Sequence, residues 1–208
     1  PGAASLTVSG SNSFRVFDVK ATSTVVLDGL TISDGRTSEN GQGGGAIRST
    51  GPLDVFNSVI TNNQTNGGGA DGGGIWLFGG SLLLSDSTIS NNSTTGFNSF
   101  GGGISAERRY TRKSEGSSET VTISITTDSP LMQSMGMMFS NPMFMGQDNK
   151  LIVINGEKAI ANERDNSLTS MVANKVLVKV DGDKNVTTET LKEYYKSIDF
   201  KAIKDYAQ

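Results

Sequence analysis

Trp76 and Phe78 are the side chains in this sequence best suited to contact a ligand. Residues two apart on a strand point to the same side, so the two rings can stack together on a sugar ring or on another protein. Arg48 precedes Trp76 by 28 residues, a spacing that recurs through the first half of the chain, and it adds a positive charge to the same surface. The alternative, which we favour, is that the second half of the chain, or another copy of it, covers these rings.

Methionine is concentrated in one stretch of the second half, where six of the seven residues lie between Met132 and Met145. Thioethers are good ligands for copper(I), and short methionine spacings bring sulfur atoms together. A copper(I) site would use Met132, Met135, Met143 and Met145. Methionine also fills irregular cores and binding grooves. We favour packing because the chain has no His or Cys to strengthen a metal site, and we expect no cofactor.

The sequence argues against an enzyme. Histidine and cysteine are absent, which excludes a Ser-His-Asp triad, a catalytic thiolate and an imidazole or thiolate zinc site. Glycoside hydrolysis normally needs two carboxyl groups on one face, but Asp28, Asp54 and Asp86 fall at three different positions of the repeat described next. The glycine-rich stretch at 66–74 lacks the Lys-Ser/Thr ending of a phosphate-binding loop.

The first half of the chain repeats two phrases with one period. Gly-Gly-Gly-Ala-Ile at 43–47 returns as Gly-Gly-Gly-Ile at 72–75 and at 101–104, and a second, unrelated phrase keeps the same steps. Periods between about 20 and 50 residues indicate a stacked architecture. The repeated isoleucines are 28 and then 29 residues apart in each phrase: Ile47, Ile75 and Ile104 in the first; Ile32, Ile60 and Ile89 in the second.

Apolar residues alternate within each repeat, as half-buried strands require. Aligning the repeats puts Val25, Leu53 and Leu82 in one column. A repeat of this length with several strands and no helical spacing is the size of one coil of a parallel β-helix, in which successive coils pair about 4.8 Å apart. We expect two or three strands in each coil and glycine at the corners. Identical amides would then stack between coils and hydrogen-bond, namely Asn62 with Asn91 and Asn63 with Asn92.

These phrases resemble the repeats of large bacterial extracellular right-handed β-helix proteins. Val-Val-Leu-Asp-Gly-Leu-Thr-Ile-Ser-Asp-Gly at 25–35 and the longer phrases that begin at Gly43 and Gly72 carry the resemblance. They are also similar to polymorphic membrane proteins of autotransporter type, although Ile60 and Ile89 stand where that family has phenylalanine. The resemblance covers about residues 4–105. It implies a β-helix fold, an exported bacterial protein and a surface role such as adhesion.

Composition changes abruptly near residue 105. Residues 1–105 hold 21 of the 26 glycines and no methionine, whereas the remainder holds all 7 methionines. We predict a parallel β-helix fragment of about three coils at 1–105, a charged linker at 106–119 and a compact α+β sandwich at 120–208. Repeat proteins need capping units, so we also predict self-association through an open end. An alternative is that the chain joins two segments that did not evolve together.

The second half alternates strand and helix signals. Asp128-Ser129-Pro130 predicts the start of a methionine-rich helix at 131–139, Asn155-Gly156 predicts a hairpin turn, and Thr187 or Thr188 is expected to cap one final helix. This half resembles small uncharacterised bacterial exported domains over about residues 108–206, a likeness that implies no particular activity. The predicted strands are 121–125, 151–154, 158–161, 168–172 and 175–180.

Charge and hydropathy limit the partners. The net charge is −3, and the one basic cluster, at 108–113, is interrupted and followed by acidic residues, so we expect no nucleic-acid partner. No apolar run reaches the ~18 residues of a membrane span. We expect an exported, non-enzymatic bacterial surface or adhesin-like scaffold with a docking or ligand-contact domain, placed outside the cell or in the periplasm. The alternative is a carbohydrate-binding module or degraded polysaccharide-active β-helix that uses Trp76 and Phe78. No signal peptide precedes Pro1, so we expect a processed or excised segment.

Overall fold

The computed structural model describes residues 6–20, 22–114, 117–129 and 131–207, and the chain divides into two compact units. Unit 1 comprises Pro1–Glu107 with Thr126–Pro130, and unit 2 comprises Arg108–Ile125 with Leu131–Gln208. The predicted fold class, a short parallel β-helix followed by an α+β part, is confirmed.

Unit 1 is a parallel β-solenoid of three coils, with four short strands in each coil within the described residues. The first coil holds β2 to β5, the second β6 to β9 and the third β10 to β13; the fourth strand of each coil has only two residues, and the sequence analysis did not expect it. The strands are β1 (Thr7–Ser9), β2 (Phe17–Val19), β3 (Val25–Asp28), β4 (Thr31–Ser33), β5 (Arg36–Thr37), β6 (Ile47–Ser49), β7 (Leu53–Phe56), β8 (Val59–Thr61), β9 (Gln64–Thr65), β10 (Ile75–Phe78), β11 (Leu82–Ser85), β12 (Thr88–Ser90), β13 (Ser93–Thr94) and β14 (Ile104–Ser114).

Parallel pairing stacks the coils in the predicted register. Ile75 pairs with Ile47 on one side and with Ile104 on the other. In the second isoleucine column, Ile60 of β8 pairs with Ile32 of β4 on one side and with Ile89 of β12 on the other. Since every coil offers apolar side chains at the same inward positions, stacking buries one continuous core. The largest side chains buried completely in this core are Ile32, Ile47, Leu53, Val55, Ile60 and Ile75.

The repeated Asn-Asn pairs separate into two roles. Asn63 and Asn92 are buried, and the Asn63 Nδ2 donates to Asn92 Oδ1 at 2.9 Å. Asn63 Oδ1 in turn accepts from the Gly35 N–H at 2.7 Å, so this inner ladder links all three coils. Asn62 and Asn91 differ from the prediction. They are exposed and have φ of 58° and 55°, a left-handed conformation that asparagine tolerates, so the corner rather than a ladder accounts for their residue type.

A segment from later in the chain covers one corner of the last coil. The Ile104 N–H donates to Thr127 Oγ1 at 2.9 Å, and the Gly102 N–H donates to the Asp128 carbonyl at 3.3 Å. The prediction that Asp128 caps the following helix is therefore wrong. Asp128 has φ of 52° and its carbonyl accepts a hydrogen bond at this corner of the solenoid. Pro130, the last residue of the predicted helix start, lies outside the described residues. The methionine-rich helix begins after Leu131, which provides no side-chain cap.

Unit 2 is an α+β fold whose sheet has the strand order β16-β17-β18-β19-β15-β14. The predicted linker at 106–119 is instead largely strand, in β14 and β15, while 115–116 lie outside the described residues. The remaining elements are β15 (Ser117–Thr127), α1 (Met132–Ser140), a 3-10 turn (Pro142–Phe144), β16 (Asn149–Ile154), β17 (Glu157–Asn162), β18 (Ser167–Val172), β19 (Val176–Gly182), α2 (Thr188–Lys196) and α3 (Phe200–Ala207).

The hairpin predicted at Asn155-Gly156 is confirmed, since both residues have positive φ and β16 pairs antiparallel with β17. The single predicted final helix is two helices. Thr187 Oγ1 accepts from the Thr190 N–H and caps α2, whereas Asp199 Oδ1 accepts from the Ala202 N–H at 3.0 Å at the start of α3. Apolar side chains of both helices pack into the core of the sheet: Leu191, Tyr195, Phe200 and Ala207.

Candidate functional site

The strand β10 directs Trp76 and Phe78 away from the solenoid core. Ile75 and Leu77 point inward and are buried, with exposed fractions of 0% and 5%, so the intervening residues must point outward. Trp76 is half-buried and Phe78 is 41% exposed. Trp76 lies in register with Arg48 of the preceding coil, as the repeat period predicts.

The two rings and the Arg48 guanidinium form one contiguous surface. The ring centroids of Trp76 and Phe78 are 5.7 Å apart with planes tilted by 43°, and the Arg48 Cζ lies 5.6 Å from the Trp76 centroid. Both distances are in the range of favourable ring-ring and cation-ring contacts. Gly43 lies against the indole, because a Cβ there would be 2.7 Å from Trp76 Cδ2. Part of the Trp76 ring is thus covered within unit 1 itself.

Polar groups that precede β6 in the chain hold Arg48 in place. Its Nη1 donates to Gln42 Oε1 at 2.9 Å, and its Nε lies 3.8 Å from Asp18 Oδ1, which is an ion-pair distance but too long for a hydrogen bond. Asp18 is the register neighbour of Arg48 in the first coil. Trp76, Phe78, Arg48, Gln42 and Asp18 are called the aromatic surface below.

A second guanidinium supports this surface from inside a corner. Arg15 donates from Nε to the Gly44 carbonyl and from Nη2 to the Gly43 carbonyl, both at 2.9 Å. Burial lowers the pKa of Arg15 and the nearby Arg48 charge lowers it further, while Asp18 acts in the opposite direction. Arg15 thus fixes the glycine corner that packs on Trp76.

Asp71 is the titratable residue that sequence reasoning missed. Burial raises its pKa to about 6, an effect opposed by the Phe100 N–H, which donates to Asp71 Oδ1 at 2.6 Å, and reinforced by the Glu107 charge. The Asp71 carbonyl also packs against Gly43, since a Cβ there would be 2.3 Å from it. The one signal in the sequence was a charged residue inside the glycine-rich stretch at 66–74.

The other carboxylates considered for catalysis are placed apart in the repeat. Asp54 pairs with Val26 and Leu83 in the register of its strand. Asp28 is in the column of Phe56 and accepts from Asn57 Nδ2 at 2.9 Å. Asp86 lies at a corner, with φ of 52°. Each carboxylate therefore belongs to a different column, as predicted.

The methionines of the copper(I) hypothesis lie on and after α1. Met132 and Met135 are one helical turn apart and half-buried, Met145 is half-buried, and Met143 is 87% exposed. No residue of α1 is buried. These four residues lie in one stretch of unit 2, and the copper(I) site stays a prediction. Among the described residues there is no group of three or more His, Cys, Asp or Glu side chains that could hold a metal ion.

Unit 2 has a shallow cavity of about 300 Å³ between its sheet and α2. Arg112 and Glu119 form an ion pair at its wall, in the part of the chain predicted to be a linker. Nearby, the rings of Tyr110 and Tyr194 are 5.2 Å apart. The residues that line the cavity are Arg112, Glu119, Val121, Thr190, Glu193, Tyr194 and Ser197.

The fold and the aromatic surface define this protein as a parallel β-solenoid joined to an α+β unit. One face of the solenoid carries two outward-pointing aromatic rings. Across the described ranges, no helix has both the length and the apolar character needed to cross a membrane. No family model, no curated protein and no solved structure matches the chain.

Proposed function

We propose that this chain is a non-catalytic binding scaffold of adhesin-like type, in which the solenoid presents the aromatic surface to a partner. The observation that carries the proposal is the pair of outward rings, Trp76 and Phe78, held 5.7 Å apart on a strand whose alternate residues are locked in the core. A rigid platform binds with little loss of conformational entropy. The resemblance of the repeats to bacterial extracellular β-helix proteins supports placing this role at a cell surface.

A carbohydrate is the ligand class that fits the aromatic surface best. Aromatic rings stack on the apolar faces of sugars, and the ends of the platform carry hydrogen-bonding groups for hydroxyls: Gln42, Arg48 and Asp18. The same arrangement supports the alternative of a carbohydrate-binding module or a degraded polysaccharide-active solenoid. In both versions the contact residues are Trp76, Phe78 and Arg48.

The test is a glycan array probed with the intact chain and with Trp76→Ala. Loss of one stacking ring should weaken binding at least tenfold, since aromatic residues at the centre of a contact commonly contribute more than about 1.4 kcal/mol. Phe97→Ala is the matched control, because Phe97 is also in unit 1 and is 83% exposed but lies outside the aromatic surface. Equal binding by the two variants would place the contact elsewhere and refute the proposal.

The docking role of unit 2 and the copper(I) alternative are separate proposals. The supporting feature is an uncharged stretch at 131–146 that contains six methionines, of which Met137 and Met143 are exposed. The flexible thioether side chain of methionine can adapt to the surface of a partner protein, and its sulfur can also coordinate a soft cation. Calorimetric titration with copper(I) distinguishes the two proposals. Heat above the blank that disappears in a Met132→Leu/Met135→Leu variant favours the copper(I) site, whereas the absence of such heat excludes it.

A further inference from the structure

Three of the four strands in the third coil end their sheets. Among the described residues, β11, β12 and β13 each pair only with the second coil, whereas β10 also pairs with β14. The inward side chains show the consequence. Leu53, Val55 and Ile60 are fully buried in the second coil, but their counterparts in the third coil are only half-buried: Leu82, Leu84 and Ile89. The outer edges of β11, β12 and β13 are called the open edge below.

Two columns of hydrogen bonds run along the solenoid and stop at the open edge. In one column the Leu30 N–H donates to Ser58 Oγ at 3.1 Å, and the Ser58 N–H donates to Ser87 Oγ at 3.2 Å. Each backbone donor is thus satisfied by a hydroxyl of the following coil. The Ser87 N–H occupies the same position in the third coil, and it has no acceptor within the described ranges.

The second column repeats this pattern with carboxamides. The Gly35 N–H donates to Asn63 Oδ1 at 2.7 Å, and the Asn63 N–H donates to Asn92 Oδ1 at 3.0 Å. The Asn92 N–H is next in the series, and no residue in the described part of the chain accepts from it. At the open edge the two donors are left to solvent, and they lie five residues apart, as Ser58 and Asn63 do.

We propose that the open edge is a binding site for one further coil of the same repeat type. The ligand is an extended segment that pairs parallel with β11, β12 and β13 and covers Leu82, Leu84 and Ile89 with its own aliphatic residues. Its serine hydroxyl accepts from the Ser87 N–H, and its asparagine carboxamide, five residues later, accepts from the Asn92 N–H. This is strand addition to a sheet edge, with backbone pairing for affinity and two side chains for specificity.

The acceptor requirement distinguishes this ligand from a simple head-to-tail copy of the chain. The sheet that contains β12 ends at β1 on its other side, so a second copy in that arrangement would offer the segment around β1. Leu6 precedes β1 as Leu30 precedes β4, and because leucine has no side-chain oxygen, the acceptor for the Ser87 N–H would be missing. The second coil, by contrast, supplies Ser58 and Asn63 at the required spacing, within a segment that runs from Leu53 to Thr65.

The test uses the intact chain and a fluorescent peptide with the sequence of residues 53–65. Anisotropy should show saturable binding. A peptide carrying Ser58→Ala and Asn63→Ala should bind about 25-fold more weakly, because each lost hydrogen bond is worth about fivefold. Amide hydrogen exchange adds a local readout: the Ser87 and Asn92 amides should exchange quickly alone and slowly with the peptide. Equal affinity for the two peptides, no binding, or no protection of these amides would overturn the proposal.

Two lysine variants on one strand test the protein side. Leu84→Lys puts a charge into the open edge and should abolish peptide binding, whereas Leu83→Lys, at a 51% exposed position that points outward on the same strand, should leave it unchanged. Circular dichroism checks that both variants fold. If Leu84→Lys fails to fold, the comparison of the two peptides on the parent chain still tests the proposal.

Self-association is a further outcome of this test. A dimer of the chain that the peptide dissociates uses the open edge and supports the proposal, whereas a dimer that the peptide leaves intact contradicts it. Trp76→Ala should bind the peptide normally, which separates this proposal from the function assigned to the aromatic surface.

Discussion

Replacing Asn63 by alanine tests whether the inner amide ladder holds the solenoid together. Asn63 is fully buried, and its Nδ2 donates to Asn92 Oδ1 and to the Thr61 carbonyl, both at 2.9 Å. Its Oδ1 accepts from the Gly35 N–H. Alanine would leave that N–H buried and unsatisfied, at a cost of about 1–3 kcal/mol, and would remove further hydrogen bonds worth about 1 kcal/mol each. We expect the solenoid to lose about 3–5 kcal/mol of stability.

The assay is urea unfolding followed by tryptophan fluorescence. Trp76 is the only tryptophan in the sequence and lies in unit 1, so its emission reports the solenoid separately from unit 2. Asn62→Ala is the matched control. Asn62 is exposed, and alanine there should cost about 1 kcal/mol because of its positive φ alone. If the two variants lose the same stability, the buried ladder is not a source of stability and the reasoning is refuted.

Three further predictions test other parts of the chain. For Asp71, the folded-state pKa of about 6 lies above the ordinary value of 3.8, so the folded state binds the proton more tightly and its stability falls as pH rises from about 4 to 6. Asp71→Asn should therefore match the parent at pH 4 and exceed it by about 1 kcal/mol at pH 7.5, a figure discounted for partial exposure; a constant difference across pH would contradict the assignment. Thr187→Ala should destabilise unit 2 by about 1 kcal/mol in urea melts followed by tyrosine near-ultraviolet circular dichroism, while Thr187→Ser should not. Gly43→Ala should cost about 2–3 kcal/mol and shift Trp76 emission, because the new Cβ would lie 2.3 Å from the Asp71 carbonyl oxygen and 2.7 Å from the indole. Gly41→Ala meets no atom and should cost only about 1 kcal/mol from its positive φ, so similar losses for both would show that the close contacts of Gly43 are unimportant.

The solenoid could be predicted because its information is periodic. Each coil must place the same kind of side chain above its counterpart, so Ile47, Ile75 and Ile104 carry the register in their spacing alone. The outward direction of Trp76 then follows from alternation on one strand. Both inferences need only local pattern and the strand period, which is why the sequence was sufficient.

The errors fall where local pattern and tertiary context disagree. Residues 106–119 have charged side chains at both odd and even positions, so they showed no alternation. The described residues of this segment nevertheless form most of β14 and the start of β15, because neighbouring strands satisfy their backbone. Asp128 looked like a helix cap, but it serves a corner of the last coil through its carbonyl. The break between α2 and α3 did have a signal, since Asp199 is a good capping residue ahead of an apolar run.

The sequence by itself determined the coil period, the inward columns and the residue types at the corners, because these follow from which side chains repeat and at what step. Only the tertiary structure decided which of two adjacent asparagines joins the ladder, that Asp71 is a half-buried carboxyl that accepts from the Phe100 N–H, and that donors at Ser87 and Asn92 remain at the open edge. Burial and hydrogen-bond partners depend on residues distant in the chain, and no local pattern specifies which of those residues pack against a given side chain.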